Sequence, residues 1–169
     1  MDVNAKNINK NGLIFSNNSD LHATESLKQA DIAQLVSDQN ITLRANDINL
    51  KGIVSAKTFN VSDTKNLILN GQAEIKRLTT LKADKIKLDG LLITQGASIT
   101  GTDQIEQTEG DILSSLGNLT LTSDLLDLSG QSIASQAILT GRNGIESHGS
   151  IQAYGDITLN SDQDITLFE

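Results

Sequence analysis

The chain has 169 residues, enough for one domain, and a net charge of −8 from 13 Lys and Arg against 21 Asp and Glu. That balance argues against nucleic-acid binding, and the absence of Cys excludes disulfides, thiolate metal sites and a cysteine nucleophile. Aromatics are only 2%, so a core must be built from Leu, Ile, Val and Ala, and with no Pro no segment is barred from a central strand.

Met1 is followed by the polar stretch Asp2 to Gly12, which holds no apolar run of signal-peptide type. No run anywhere approaches the roughly 18 apolar residues of a membrane-spanning helix. Residues 23–36 (ATESLKQADIAQLV) contain neither Gly nor Asn and are rich in helix formers such as Leu27, Lys28, Gln29, Ala30 and Leu35. They predict either a short helix or an irregular coil containing Ile32 and Leu35. The expected organisation is therefore irregular coils or a partial cap over 1–36, then regular coils over 37–169.

From residue 40 onward, short alternating runs end in glycine. Ile48-Asn49-Leu50-Lys51-Gly52, Leu67-Ile68-Leu69-Asn70-Gly71 and Ile86-Lys87-Leu88-Asp89-Gly90 place their glycines 19 residues apart. Gly110, Gly130 and Gly149 follow at spacings of 20, 20 and 19, and Gly12 lies 40 residues before Gly52. The segment NITLRANDINLKG (40–52) returns as NLTLTSDLLDLSG (118–130), an offset of 78. Ile165 to Glu169 falls where one more repeat should close, as though cut through a coil.

Each repeat holds apolar pairs of period two, the signature of half-buried strands. One type is Ile41/Leu43, Leu119/Leu121 and Ile157/Leu159; a second is Ile48/Leu50, Leu67/Leu69, Ile86/Leu88, Leu126/Leu128 and Ile165/Leu167; a weaker third is Val54/Ala56, Ile112/Ser114 and Ile151/Ala153. Because like segments recur at a fixed distance without two-residue hairpin turns, like should stack on like in parallel. The fold class expected is all-β: a single-stranded parallel β-helix with 19–20 residues and three strands per coil. The recurring glycine is expected at a corner that requires positive φ or close approach, and the open strand edges predict end-to-end self-association.

No residue pattern identifies a catalytic, cofactor or metal site. His22 and His148 lie too many coils apart to share one. Asp103, Glu106, Glu109 and Asp111 cluster in sequence, as do Asp156, Asp162 and Asp164. Paired carboxylates could serve a polysaccharide lyase or hydrolase, but a solvated acidic face accounts for them as well. The outward Thr42, Thr120, Thr158 and Thr166 raise the idea of an ice-binding face, which Ser62, Lys82 and Leu139 are expected to interrupt.

The stretches Gly110–Ser123 and Gly149–Ser161 share the form G-x-I-x-[AS]-x-G-x-[IL]-T-L-x-S, the first with one extra residue before its second Gly. This resembles the repeats of filamentous haemagglutinin-type exoproteins of Gram-negative bacteria, which include adhesins and contact-dependent growth-inhibition effectors. The resemblance covers roughly 37–169 and implies a right-handed β-helix rod, secreted through an outer-membrane transporter of the two-partner type and displayed at the cell surface. It implies a non-catalytic shaft that could meet a host or target-cell receptor. The Asn-Pro motifs of that family's secretion domain are absent, as are an Arg-Gly-Asp triplet and any toxin domain.

Overall fold

In the computed structural model, which describes residues 1–168, the alternating runs become parallel strands wound into about nine turns of about 19 residues. The strands are β1 (Asp2–Lys10), β2 (Leu13–Gln29), β3 (Gln34–Arg44), β4 (Asp47–Leu50), β5 (Ile53–Leu69), β6 (Gln72–Leu88) and β7 (Leu91–Gln107). They continue as β8 (Ile112–Ser115), β9 (Asn118–Leu128), β10 (Gln131–Ala134), β11 (Gln136–Ser147), β12 (Ser150–Ala153), β13 (Ile157–Asn160) and β14 (Ile165–Leu167). All belong to one sheet, and each pairs in parallel with its copy a turn away. At about 4.8 Å per turn the rod is about 40 Å long.

Long strands bend at corners, where the register shifts. Between β5 and β6 the shifts fall at Ala56/Thr58 and Val61/Thr64, dividing the coil into three straight segments. The first face runs through 40–44, 58–62 and 78–83, the second through 47–50, 66–69 and 85–88, and the third through 53–56, 72–75 and 91–94. Alternation turns every second residue inward. On the first face Leu21, Leu43, Val61, Leu81, Ile99, Leu121 and Leu139 form one buried row. On the second, Leu27, Ile48, Leu67, Ile86, Ile105, Leu126 and Ile145 form another. Each fully buried Leu or Ile contributes about 1.5–3 kcal/mol. Outside, side-chain ladders follow the stacking: Asn40 donates to Asn18 at 3.0 Å and Thr58 donates to Asn40 at 2.5 Å.

The corner glycines are there for close approach. Gly52, Gly71, Gly90, Gly130 and Gly149 stack between the second and third faces, and none has positive φ. A β-carbon on Gly71 would meet the Gly52 carbonyl oxygen, which accepts the Gln72 amide at 3.0 Å. Two coils break the series. Ala33 and Asp111 hold the corner position there, as shown by the amides of Ile53 and Gln131 donating to their carbonyls at 2.9 and 2.8 Å. In both, two extra residues form a turn that closes Ala33 N to Ala30 O at 3.0 Å and Asp111 N to Thr108 O at 3.1 Å. Gly110, expected as a corner marker, is instead inside this insertion, with φ of 86°, and the one-residue shift turns Leu113 and Ser115 inward where Ile112 and Ser114 are expected.

No helix forms over 23–36. β2 continues to Gln29, the chain turns at Asp31 and Ile32, and β3 starts at Gln34. Helix propensity is a weak preference, and here inward Leu27 and Leu35 are buried in the solenoid rows, while the inserted Ile32 stays exposed. The ladder also runs unbroken across the expected boundary at 36/37, because β1, β2 and β3 pair in succession.

Candidate functional site

Both two-residue insertions are preceded by a buried glutamine. The interior row runs Lys10, Gln29, Leu50, Leu69, Leu88, Gln107, Leu128, Ser147: Leu at four regular coils, glutamine at both inserted ones, and Lys10 and Ser147 at its two ends. Each glutamine amide reaches backbone carbonyls at or beside the longer corner. Gln29 Nε2 donates to Ala33 O and Ile53 O, both at 2.9 Å, and Gln107 Nε2 donates to Gln131 O at 3.1 Å. Ser132 Oγ donates to Gln107 Oε1 at 3.1 Å, whereas Gln29 Oε1 has no partner. The residue 78 before Ser132 is Val54, which cannot donate.

Each insertion raises a lip over the second face and creates an open groove. One, of about 450 Å³, includes Lys28, Gln29, Asp31, Asn49 and Lys51. The other, of about 540 Å³, includes Glu106, Gln107, Glu109, Asp127, Ser129 and His148. Positions 28, 29, 31, 49 and 51 correspond to 106, 107, 109, 127 and 129 at the offset of 78, so the two grooves are equivalent sites with opposite charge.

Of the sequence-adjacent carboxylates the fold keeps Glu106 and Glu109 in one groove and separates Asp103 and Asp111 from them. Asp103 occupies the corner between the first and second faces, Glu106 points outward on the second face, and Glu109 lies in the insertion. Asp111 is 4% exposed and accepts the Gly90 amide at 2.9 Å. Burial pushes its carboxyl above the usual carboxylate range, against the opposing effect of that hydrogen bond. Glu106 instead gains Asp127 and Glu146 as in-register neighbours, one per coil. At one end of this row Lys87 donates to Glu106 at 2.6 Å, and the pairing holds the ammonium above its usual value. Among the described residues no group of three His, Cys, Asp or Glu is placed to hold a metal ion.

His22 is on the first face beside Arg44, six coils from His148. His148 stands at the second corner of its coil and stacks on Phe168, with centroids 4.0 Å apart and rings 9° from parallel. Thr42, Thr120 and Thr158 do share one outward row, but the residues between them are Asn60, Thr80, Ser98 and Ile138. Ser62 and Lys82 belong to the neighbouring row, Leu139 is buried, and Thr166 is on the second face. Asp156 and Asp164 accept the Ala137 and Ile145 amides through their backbone carbonyls, at 3.0 and 3.1 Å.

Charge and polarity divide the surface in ways the local motifs do not reveal. Residues 1–87 carry twelve cations and nine carboxylates, a net of +3, while residues 88–169 carry one cation and twelve carboxylates, a net of −11. Since successive coils advance along the axis, the rod is electrostatically bipolar. The third face is apolar on its outer side as well: eight of its sixteen outward residues are Leu, Ile, Val or Phe, and Glu74 is the one charged residue among them.

These features define a parallel β-solenoid with two corner insertions and a superperiod of 78 residues. No protein-family model matches the chain, nor does any curated protein or solved structure.

Proposed function

We propose that the chain is a non-catalytic shaft segment of a large exported bacterial surface protein, an adhesin or contact-dependent inhibition effector, serving as a rod and offering its faces to a receptor. The parent protein would leave the cell through an outer-membrane transporter of the two-partner type. The observation that carries this reading is the placement of the acids. Glu106, Asp127 and Glu146 stand in file on one side of the rod, one per coil. Glycoside hydrolysis canonically uses two carboxyl groups flanking the scissile bond. A file along one side of an open groove suits solvation and surface recognition instead. The resemblance of the repeats to the haemagglutinin type and an uninterrupted ladder fit the same role.

The rival reading is a small polysaccharide lyase or hydrolase working in the acidic groove. A screen of uronate and neutral glycans with product detection separates the two. No turnover is expected. Turnover that disappears in Glu106→Gln or Asp127→Asn would overturn the shaft assignment.

A further inference from the structure

The third face differs from the other two. Its eight segments, from 13–16 to 150–153, present a continuous strip that is half apolar and bears a single charge. Phe15 is 66% exposed, and Ile53, Ile93 and Ile112 are 38–39% exposed. Such a strip on an otherwise polar rod marks an interaction surface.

We propose that this face is the interface of an antiparallel homodimer. The orientation follows from the bipolar charge. A parallel pair would set the −11 half against another −11 half, whereas an antiparallel pair sets it against the +3 half. The strip's rims repeat that division: Lys51, Lys57, Lys76 and Arg77 flank its first half, and Asp89, Glu109 and Asp156 its second. Asp31 and Asp38 moderate the first rim, and Lys51 is 3.7 Å from Asp31 within its own chain.

Two-fold symmetry requires self-complementary contacts. An axis between the fourth and fifth segments, Gln72–Ile75 and Leu91–Thr94, is the placement that uses all eight. It sets Ile53 against the partner copy's third-face segment 112–115 and Val36 against its segment 131–134, so apolar meets apolar. It also brings the Lys51 corner to the corner containing Glu109. The strip measures about 38 by 13 Å, eight turns of about 4.8 Å and four residues of about 3.3 Å. Two copies bury roughly 1,000 Å² in total, the lower end of specific association, so the dimer should be weak, with Kd on the order of micromolar.

Sedimentation velocity on the whole chain, from about 1 µM to about 1 mM, is expected to show a reversible monomer–dimer equilibrium. Ile53→Asp and Ile112→Asp should each weaken it by more than about tenfold, with circular dichroism melting unchanged because both side chains are part-exposed. The chain has no Cys, so orientation can be read by oxidative cross-linking. Mixed Ile53→Cys and Ile112→Cys chains should cross-link faster than either alone. A monomer at every concentration, a dimer indifferent to both Asp substitutions (stacked ends, for example), or preferential 53–53 cross-links would each overturn the proposal. None of these results bears on glycan turnover.

Discussion

The carbonyl oxygen of Gly52 occupies the space that a β-carbon on Gly71 would need, and it already accepts the Gln72 amide at 3.0 Å. The same relationship links Gly90 to Gly71 and Gly149 to Gly130. A side chain there must displace a backbone hydrogen bond of the neighbouring coil. Gly71→Val and Gly90→Val are each expected to cost about 3 kcal/mol, lowering the melting temperature by roughly 10 °C. Gly12→Ala should change little, since nothing lies within 4 Å of its added carbon. Equal melting of all three variants would refute the close-approach explanation.

The glutamine and the two-residue insertion should behave as a unit. Gln107→Leu leaves Gln131 O and Ser132 Oγ without their partner and is expected to cost about 1–3 kcal/mol. Deleting Glu109 and Gly110 in the same chain, with Asp111→Gly, recreates the regular Leu-plus-glycine corner. That combination should melt at or above the temperature of the parent chain. If it is less stable than Gln107→Leu alone, the insertion has a role beyond corner geometry.

Val54 occupies the place that Ser132 holds one superperiod later. Val54→Ser should supply the hydrogen-bond donor that Gln29 Oε1 lacks. Burying a hydroxyl in an apolar row otherwise costs free energy, so the informative comparison is with Val54→Ala. Urea denaturation is expected to rank Val54→Ser the more stable by about 1 kcal/mol; the opposite ranking would count against the equivalence of the two insertions.

Asp111 makes stability depend on acidity in a definite direction. Its carboxyl is raised above the unfolded value by burial. The contribution to stability is therefore fully present below the unfolded pKa and is lost as pH rises through the folded one. Asp111→Asn should melt higher than the parent chain at neutral pH, with the advantage vanishing in strong acid. Parallel melting curves for the two proteins at all pH values would exclude this assignment.

The repeat was legible because apolar residues at Ile48/Leu50, Leu67/Leu69 and Ile86/Leu88 alternate at constant spacing beside obligatory glycines. Gly110 misled because an insertion moves the corner one residue on, to Asp111, and spacing alone cannot distinguish a corner glycine from one in a turn. The helix formers of 23–36 left a helix open beside the irregular coil that forms, because Leu27 and Gln29 obey the inward alternation of a strand, a long-range demand that outweighs local preference. The groove was missed for a related reason. Its members, Glu106, Asp127 and His148, come from different coils, whereas Asp103 and Asp111 are close only along the chain. The signal was available in the offset of 78, which aligns Gln29 with Gln107 and one groove with the other.

Winding the chain so that one coil of about 19 residues adds only about 4.8 Å of rod also sets how the molecule yields to force. Tension applied between its ends would peel one terminal coil at a time, since each is held only by its neighbour. Each released coil would pay out about 65 Å of extended chain. A rod built this way gives up one coil at a time, each lengthening more than tenfold before the remaining turns are disturbed.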